Sequence, residues 1–264
     1  MKSLLKKYGL EPKAYLDQHF LVNDAVIDKI ISLLNIDKKD VILEIGAGIG
    51  TITNKIKGCK KVIAVEIDKK LSDAIKEETK KNKNIEIINE NVLKIIDTVK
   101  FSKLVSSTPY AICEPLIQNM FFLEFERAVL LLPKKFVDNI KDKKTKLGLL
   151  AEAFLDIEVV GDVSKDDFYP APNVDTVIVV VEKNKNNSLI KELYLQRDKK
   201  LKNALLNILV NGYKTTKKQA KHMLKESGLG ESVLGKRIEK LKKEEYDGII
   251  KAVTTIQKEK PSSP

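Results

Sequence analysis

The chain has 264 residues, of which 48 are Lys or Arg and 37 are Asp or Glu, so its formal net charge is +11. A hydrophobic content of 43% with 32% charged residues is typical of a globular protein, and no apolar run reaches the ~18 residues that a membrane span needs. The two cysteines and two histidines stand far apart, which disfavours a disulfide framework and a metal site. These features predict a cytoplasmic protein that binds neither membrane nor metal.

The first part of the chain alternates strand-like runs with helical patterns. Runs rich in Val and Ile predict strands at residues 41–45, 61–65, 85–88, 103–106, 128–132, 157–160 and 174–181. Amphipathic helices are predicted between the early runs, at residues 24–34, 69–80 and 115–123. This alternation is typical of a mostly parallel sheet covered on both faces. The last run directly follows Pro170-Ala171-Pro172, so it has no room for a crossover helix and is expected to be antiparallel.

A polar linker at residues 183–188 separates this part from a C-terminal region with helical patterns. The helices are predicted at residues 190–209, 217–226 and 231–243. The predicted fold class is therefore α/β, with a Rossmann-like sheet in residues 1–183 and a small all-α domain in residues 184–264.

The positive charge is concentrated in that second domain. Residues 1–183 contain 29 Lys or Arg against 28 Asp or Glu, whereas residues 184–264 contain 19 against 9. A solvated, lysine-rich helical surface would explain this excess. A surface that binds a polyanion such as RNA is the other explanation.

A glycine loop follows the first predicted strand. The segment Glu44-Ile45-Gly46-Ala47-Gly48-Ile49-Gly50 leaves a buried strand and is expected to open a helix. Glycines let the backbone turn tightly and approach a ligand closely, and a helix N-terminus offers free N–H groups. The next predicted strand ends at Glu66, whose carboxylate could accept hydrogen bonds from two ribose hydroxyls. The two features together predict a nucleotide-binding pocket.

The spacing of the glycines favours S-adenosylmethionine as the nucleotide. A dinucleotide fingerprint reads G-x-G-x-x-G, whereas this loop reads G-x-G-x-G and has Thr51 where the third glycine should stand. Glu44 would repel a pyrophosphate but suits the cationic end of S-adenosylmethionine. A dinucleotide, or a glycine turn needed only for packing, remains as an alternative.

Polar residues follow the third predicted strand, at Asn89-Glu90-Asn91. Asn91 is the candidate to accept a hydrogen bond from the adenine amino group of the cofactor. Glu90 is expected to point elsewhere, because side chains alternate along a strand. A polar residue after a strand is also typical of a turn or a helix cap.

The fourth predicted strand runs into Ser107-Thr108-Pro109-Tyr110, which resembles the (N/D/S)-x-P-(Y/F) motif of amino-group methyltransferases. An exocyclic amine is a poor nucleophile because its lone pair is delocalised into the ring. Ser107 and a backbone carbonyl could accept its N–H groups and so aim the lone pair at the methyl sulfonium, and Tyr110 could stack on an extruded base. We assign Ser107, Pro109 and Tyr110 as catalytic residues; a structural turn is the alternative.

With these residues in place, the chain resembles the rRNA adenine N6,N6-dimethyltransferases, chiefly the branch that acts on small-subunit rRNA. The segment 15–21 is similar to the family's L-G-Q-N/H-F-L, and the segment 168–175 to its F-x-P-x-P-x-V-x-S loop. The segment 196–205 resembles the R-R-K-x-L-R-N-A-L helix, and the segment 235–241 resembles the R-x-x-x-L element. The resemblance covers about residues 12–255.

The resemblance implies dimethylation of two adjacent adenosines in the 3′-terminal hairpin of small-subunit rRNA during ribosome biogenesis. S-adenosylmethionine would be the cofactor and the rRNA or the assembling small subunit the partner; we expect the protein to act as a monomer. The implied cofactor-binding residues are His19, Leu21, Glu44, Gly46, Gly48, Glu66, Asn91 and Ser107. Those implied to face the target base or RNA are Tyr110, Phe168, Arg197, Lys199, Lys200 and Lys202.

The sequence departs from the family pattern near the predicted site. Ser107-Thr108 stands for the usual Asn-Leu, Asn91 for an Asp, and Pro133-Lys134-Lys135 for Q-x-E. Asp17 replaces a glycine, although Asp tolerates a positive φ better than most residues. These changes leave open a paralogue with weak or no methyl transfer that binds RNA in ribosome assembly. A methyltransferase of another RNA or of a small molecule is also compatible with the motifs.

Overall fold

The computed structural model describes residues 2–212 and 214–258, and the chain divides into two compact units. The first unit extends to residue 141 and includes residues 155–184, and the second consists of residues 142–154 and those from 185 onward. The predicted boundary after residue 183 differs from this division at residues 142–154. That segment joins the second unit because Leu149 packs in its hydrophobic core.

The first unit is built on a seven-stranded sheet of order β4-β3-β2-β5-β6-β9-β7, beside a two-stranded sheet of β1 and β8. The strands are β1 (Phe20–Leu21), β2 (Val41–Ile45), β3 (Lys61–Glu66), β4 (Ile85–Asn89), β5 (Lys103–Ser107), β6 (Arg127–Pro133), β7 (Leu155–Val163), β8 (Phe168–Tyr169) and β9 (Thr176–Lys183). Neighbouring strands from β4 to β6 are parallel, and β9 is antiparallel to both β6 and β7. The predicted mostly parallel sheet with an antiparallel last strand is confirmed.

The helices of the first unit cover this sheet. They are α1 (Lys2–Lys7), α2 (Asp24–Leu34), α3 (Lys69–Thr79), α4 (Val92–Ile95), α5 (Cys113–Met120) and α6 (Lys134–Lys141). Helix α2 begins where the Asn23 side chain accepts a hydrogen bond from the Ala25 N–H, and it buries Ile27, Ile30 and Leu34 along one face. Helices α2, α3 and α5 were predicted, whereas α1, α4 and α6 were not.

The second unit is helical, but two predicted helices are wrong in extent. Its helices are α7 (Lys146–Phe154), α8 (Leu189–Tyr194), α9 (Leu201–Gly212), α10 (Lys217–Glu226), α11 (Glu231–Leu234) and α12 (Lys243–Lys258). The predicted helix 190–209 is interrupted because the Lys199 carbonyl accepts from the Ile238 N–H and the Leu201 N–H donates to the Lys236 carbonyl. The predicted helix 231–243 ends at Leu234, because Lys236 and Ile238 make these hydrogen bonds to the segment before α9. Helix α12 begins at Lys243, where that helix was predicted to end. No helix of the described residues is long and apolar enough to cross a membrane.

A buried ion pair joins the starts of β2 and β5. The Lys103 ammonium lies 2.6 Å from the Asp40 carboxylate, and both side chains are less than a tenth exposed. Burial opposes the charge on Asp40, but hydrogen bonds from Lys103, the Asp37 N–H and the Ser102 hydroxyl outweigh it and lower the pKa of Asp40. The Asp40 carboxylate therefore stays ionised within the sheet.

Replacing Lys103 with Met would leave the Asp40 carboxylate buried without its cation. We expect the free energy of unfolding, measured by chemical denaturation, to fall by about 3–5 kcal/mol. The matched control is Lys61→Met, because Lys61 also begins a strand but pairs with Glu86 on the exposed surface. That change should cost less than about 1 kcal/mol, and equal losses in the two variants would contradict the argument.

Candidate functional site

A cavity opens at the carboxyl ends of the central parallel strands of the first unit. Every residue that the sequence analysis assigned to cofactor contact lines it: His19, Leu21, Glu44, Gly46, Gly48, Glu66, Asn91 and Ser107. The strands β2, β3 and β5 bring Glu44, Glu66 and Ser107 to one edge of the sheet, where ligands of open α/β folds bind. The predicted cofactor residues therefore share a single cavity.

The charges around this cavity identify the kind of nucleotide that fits it. Among the described lining residues four are acidic, namely Asp17, Glu44, Glu66 and Glu90, and none is Lys or Arg. A lining without Lys or Arg offers no cation to the pyrophosphate of a dinucleotide, and its carboxyl groups suit a nucleoside that carries a positive charge. The cavity thus favours S-adenosylmethionine among the alternatives left open by the sequence.

The glycine loop bends back under the cavity. Gly46, Gly48 and Gly50 have φ of 72°, 58° and 83°, in the left-handed region that glycine adopts without strain. A Cβ at Gly48 would lie 3.0 Å from the Phe20 ring, so that ring would have to shift to accommodate a larger residue there. The loop is followed by turns and a 3₁₀ turn at Thr53–Lys55, so the expectation that it opens a helix is wrong. The chain instead reaches β3 at Lys61, and the Thr53 hydroxyl donates a hydrogen bond to Glu44 of β2.

The Glu66 carboxylate fixes the position of the glycine loop. One of its oxygens accepts a hydrogen bond from the Gly48 N–H and the other from the Asp68 N–H, each at 2.8 Å. Burial raises the pKa of Glu66 even though these N–H groups favour its ionised form. Each carboxylate oxygen keeps a further lone pair for a ligand hydroxyl.

Glu44 lies deeper, at the end of β2. It is 1% exposed, and it accepts a hydrogen bond of 2.5 Å from the Thr53 hydroxyl. Burial raises the pKa of Glu44 to about 8, against an ordinary value of 4.5. The side chain is thus mostly protonated at neutral pH, and a nearby cation would favour its ionised form.

Asn91 lines the cavity and also caps a helix. Its side-chain oxygen accepts a hydrogen bond from the Leu93 N–H at 3.0 Å, which is the cap that the sequence left as an alternative. Glu90 was expected to point elsewhere, but it also lines the cavity. Its carboxylate accepts a hydrogen bond from the Asn91 N–H at 2.7 Å and lies 3.7 Å from the Lys94 ammonium, so these groups already occupy it.

A second, smaller cavity adjoins the first. It is lined by Asp17, His19, Ser107, Thr108, Tyr110, Leu131, Phe168 and Thr176, and the first three of these also line the larger cavity. The Tyr110 hydroxyl lies 3.1 Å from the Thr176 hydroxyl. Ser107 therefore lies where the two cavities meet. Thr176 is a lining residue that the sequence analysis missed, although it follows directly after the segment 168–175.

Thr108 adds an unpaired hydroxyl to this small cavity. The residue is 4% exposed, and its hydroxyl has no hydrogen-bond partner among the described residues. Buried polar groups without partners are rare in native proteins because each costs about 1–3 kcal/mol. The hydroxyl is available to a water or to a bound base.

The N-terminal segment is tied to loops that surround both cavities. The Asp17 carboxylate accepts from the Ala111 N–H at 3.0 Å, and the Gln18 amide donates to Asp68 at 3.2 Å. Strand β1 then pairs with β8, which carries Phe168. Asp17 has a φ of 51°, in the left-handed region that glycine adopts most easily. This agrees with the glycine that the family has at this position.

The residues assigned to RNA lie in the second unit. Arg197, Lys199 and Lys200 occupy the turn between α8 and α9, and Lys202 lies in the first turn of α9. All four are exposed. Lys202 lies 3.5 Å from Glu231, so part of its charge is balanced within the unit.

Comparison with known proteins supports the family resemblance over most of the chain. The profile of the family described as ribosomal RNA adenine dimethylase matches residues 10–251. A probable ribosomal RNA small subunit methyltransferase A of Pyrococcus abyssi is 36% identical over 76% of this chain and 78% of its own length. The ribosomal RNA small subunit methyltransferase A of Thermotoga petrophila is 32% identical over 76% of this chain and 82% of its own length.

Solved structures agree with this match. The crystal structure of a dimethyladenosine transferase from Plasmodium falciparum superimposes with a TM-score of 0.63 at 25% identity, over 91% of this chain and 98% of its own. The 23S rRNA methyltransferase ErmE, at 20% identity, has the same fold with a TM-score of 0.59 over 89% of this chain and 99% of its own. The chain belongs to the ribosomal RNA adenine dimethylase family, whose members are S-adenosylmethionine-dependent methyltransferases.

Proposed function

We propose that this protein transfers methyl groups from S-adenosylmethionine to the N6 atoms of two adjacent adenosines in the 3′-terminal hairpin of small-subunit rRNA. The observation that carries the proposal is the junction at Ser107, which lines both the cofactor cavity and the small cavity beside Tyr110. A methyl donor and an acceptor amine must meet at such a junction. The names of the curated relatives support the small subunit as the source of the RNA.

Residues of the larger cavity would hold the cofactor. Glu66 would accept from the ribose hydroxyls, because its oxygens retain lone pairs after bonding Gly48 and Asp68. Asn91 would accept from the adenine amino group with the lone pair that its helix cap leaves free. Glu44 and the glycine loop would face the methionine end, where the bound cofactor supplies an electrophilic methyl group on a positively charged sulfur.

Residues of the smaller cavity would orient the amine. The Ser107 hydroxyl and a neighbouring backbone carbonyl would accept the N6 hydrogens, which turns the nitrogen lone pair towards the methyl group. Tyr110 would stack on the extruded adenine, with its hydroxyl held by Thr176. Phe168, which is buried beside them, would close the wall of the base site. Positioning of this kind accounts for the acceleration without a covalent intermediate.

The second unit supplies a surface for the RNA. In addition to Arg197, Lys199, Lys200 and Lys202, helix α10 carries Lys217, Lys218, Lys221 and Lys225. The four α10 lysines are exposed, share one side of the helix, and form no ion pair with another described residue. Their uncompensated charge favours binding to rRNA or to an assembling small subunit. We place the reaction in the cytoplasm and expect a monomer to carry it out.

The direct test is methyl transfer from labelled S-adenosylmethionine to undermethylated small ribosomal subunits, followed by mass spectrometry of the rRNA 3′ region. We expect two adjacent dimethyladenosines, and Tyr110→Ala should remove most turnover while cofactor affinity changes little. Cofactor and subunit binding without transfer would instead assign the protein to RNA binding in ribosome assembly. Transfer to a different RNA would overturn the assignment of the substrate.

Cofactor binding should release a proton from Glu44. With its pKa raised to about 8, Glu44 is largely protonated at pH 7, and a sulfonium bound beside it would favour the carboxylate. Calorimetry in buffers of different ionisation enthalpy should report the release of up to about one proton per site. S-adenosylhomocysteine lacks the sulfonium charge and should release less. Equal release by Glu44→Gln would show that another group titrates.

A second readout for Glu44 does not need the cofactor. The folded protein keeps this proton up to about pH 8, whereas the unfolded chain loses it near 4.5. The folded state binds more protons between these values, so this group's contribution to stability falls as the pH rises through that window. The free energy of unfolding of the Glu44→Gln variant, measured as a function of pH, should lack this decrease.

The α10 lysines should contribute to the salt dependence of RNA binding. Replacing Lys217, Lys218, Lys221 and Lys225 with Gln should weaken affinity and reduce the slope of log Kd against log salt by up to ~0.7 per lost phosphate contact. The charge-matched control replaces Lys69, Lys70, Lys76 and Lys80, exposed lysines in and just after α3 of the first unit, with Gln. An equal reduction of slope in the control would argue against a dedicated surface on α10.

A further inference from the structure

We propose that the hydroxyl of Thr108 helps to select the target base by donating a hydrogen bond to a ring nitrogen of adenine. The proposal rests on the proposed function, and it adds a specificity-determining residue to the groups that orient the amine. Thr108 lines the small cavity together with Ser107 and Tyr110, whereas the described lining of the cofactor cavity includes Ser107 but not Thr108. A role of the Thr108 side chain therefore concerns the base and not the cofactor.

The Thr108 hydroxyl is buried without a partner. The residue is 4% exposed, and its hydroxyl makes no hydrogen bond with any described residue. Its backbone is held against the sheet, because the N–H donates to the Leu131 carbonyl at 3.3 Å. A buried hydroxyl without a partner destabilises the free protein, and an acceptor on a ligand would remove that cost. The protein thus carries an unused donor in the cavity where the base is expected to bind.

The neighbouring polar groups of the small cavity are already engaged. The Tyr110 and Thr176 hydroxyls lie 3.1 Å apart. The Asp17 carboxylate accepts a backbone N–H at 3.0 Å, and the His19 Nδ1 lies 2.8 Å from a backbone carbonyl oxygen. Each of these groups has a contact within the protein, so the Thr108 hydroxyl is the one left for a ligand among them.

The chemistry of adenine decides the direction of the hydrogen bond. In the proposed function, the Ser107 hydroxyl and a backbone carbonyl accept both hydrogens of the N6 amine. The ring atoms nearest to this amine that can form hydrogen bonds are N1 and N7, and both only accept. The Thr108 hydroxyl has one hydrogen to donate, so it can pair with one of them. A base without that acceptor would leave the hydroxyl buried and unpaired, which disfavours its binding.

This donor is a feature of the present chain. The family pattern has leucine where Thr108 stands, and a leucine side chain can pack against a base but can neither donate nor accept a hydrogen bond. A hydroxyl at this position therefore adds a contact that packing alone does not supply. Its energetic effect can be measured by removing the hydroxyl without changing the shape of the side chain.

Two substitutions isolate the hydroxyl. Thr108→Val replaces it with a methyl group of similar size, and Thr108→Ser keeps it and removes the methyl group. Each variant would be assayed for cofactor Kd by calorimetry and for kcat/KM with undermethylated small subunits. We expect Thr108→Val to lower kcat/KM about five- to a hundredfold, because a ring nitrogen loses its donor in a buried site.

The serine variant and the cofactor affinity serve as controls. Thr108→Ser should lose clearly less activity than Thr108→Val, and cofactor Kd should change little in both variants. A loss in Thr108→Ser as large as that in Thr108→Val would assign the role to the methyl group and overturn the proposal. A loss of activity that follows a loss of cofactor affinity would overturn it as well.

The free protein offers a readout that needs no RNA. Because Thr108→Val removes an unpaired buried hydroxyl, we expect its thermal midpoint to rise by about 2–10 °C above that of the wild type. Lower activity together with a higher midpoint cannot result from a damaged fold. A midpoint that does not rise would show that the hydroxyl already has a partner in the free protein, which contradicts the proposal.

Base analogues identify the ring nitrogen. Small-subunit rRNA would carry 1-deazaadenosine or 7-deazaadenosine at the target position, and each analogue replaces one ring nitrogen with C–H. If Thr108 donates to that nitrogen, the analogue should lower kcat/KM of the wild type about five- to a hundredfold more than that of Thr108→Val. We expect this difference for one of the two analogues. Equal losses in the two proteins for both analogues would overturn the proposal.

A binding measurement separates failure of this proposal from failure of the proposed function. If the wild type transfers no methyl group, the proposed function fails, and the same comparison is made on the Kd of a synthetic 3′-terminal rRNA hairpin. A larger effect of one analogue on the wild type than on Thr108→Val would support the hydrogen bond there, and equal effects would overturn it. Methyl transfer that does not depend on the Thr108 hydroxyl would overturn the hydrogen bond and leave the proposed function intact.

Discussion

The site depends on one buried carboxylate. Glu66 accepts a backbone hydrogen bond from Gly48 in the loop after β2 and another from Asp68 in the turn after β3. A buried charge needs such partners, so the two loops are held at a fixed distance from the sheet. Gly48 also lies against the Phe20 ring, where a Cβ would be too close. The cofactor cavity, the glycine loop and the N-terminal segment are thus positioned by contacts that begin at a single side chain.

The cofactor cavity and the C-terminal part of the chain differ in their electrostatics. The cofactor cavity has four acidic and no Lys or Arg residues among its described lining, which suits a positively charged nucleoside. The residues from 184 onward instead contain 19 Lys or Arg against 9 Asp or Glu, which suits a polyanion. The two ligands of the reaction have opposite charges, so neither surface attracts the ligand of the other. Specificity between cofactor and RNA therefore begins with charge before any shape is recognised.

The sequence predicted what local patterns determine and missed what depends on distant partners. Strand β2 was predicted residue for residue because four of its five residues are apolar, and the strand-end positions of Glu44, Glu66 and Ser107 followed from the topology of parallel sheets. The turn after the glycine loop, the break between α8 and α9 and the pairing of β1 with β8 were not predicted. Each is set by a contact with a residue far along the chain, and two-residue strands carry no periodicity to detect.

The shortness of the β1–β8 pairing has a consequence for turnover. Dimethylation of one adenine consumes two cofactor molecules, so spent cofactor must leave and fresh cofactor must arrive between the two transfers. The N-terminal segment that lines the cofactor cavity is joined to β8 by the register pairs Phe20 with Tyr169 and Leu21 with Phe168, outside the seven-stranded sheet. Local unfolding can open a pairing of two residues without unfolding the sheet, and the burial of Phe20 and Leu21 favours its return to the closed state. The protein can therefore exchange cofactor repeatedly while the sheet that aligns Ser107 and Tyr110 stays intact.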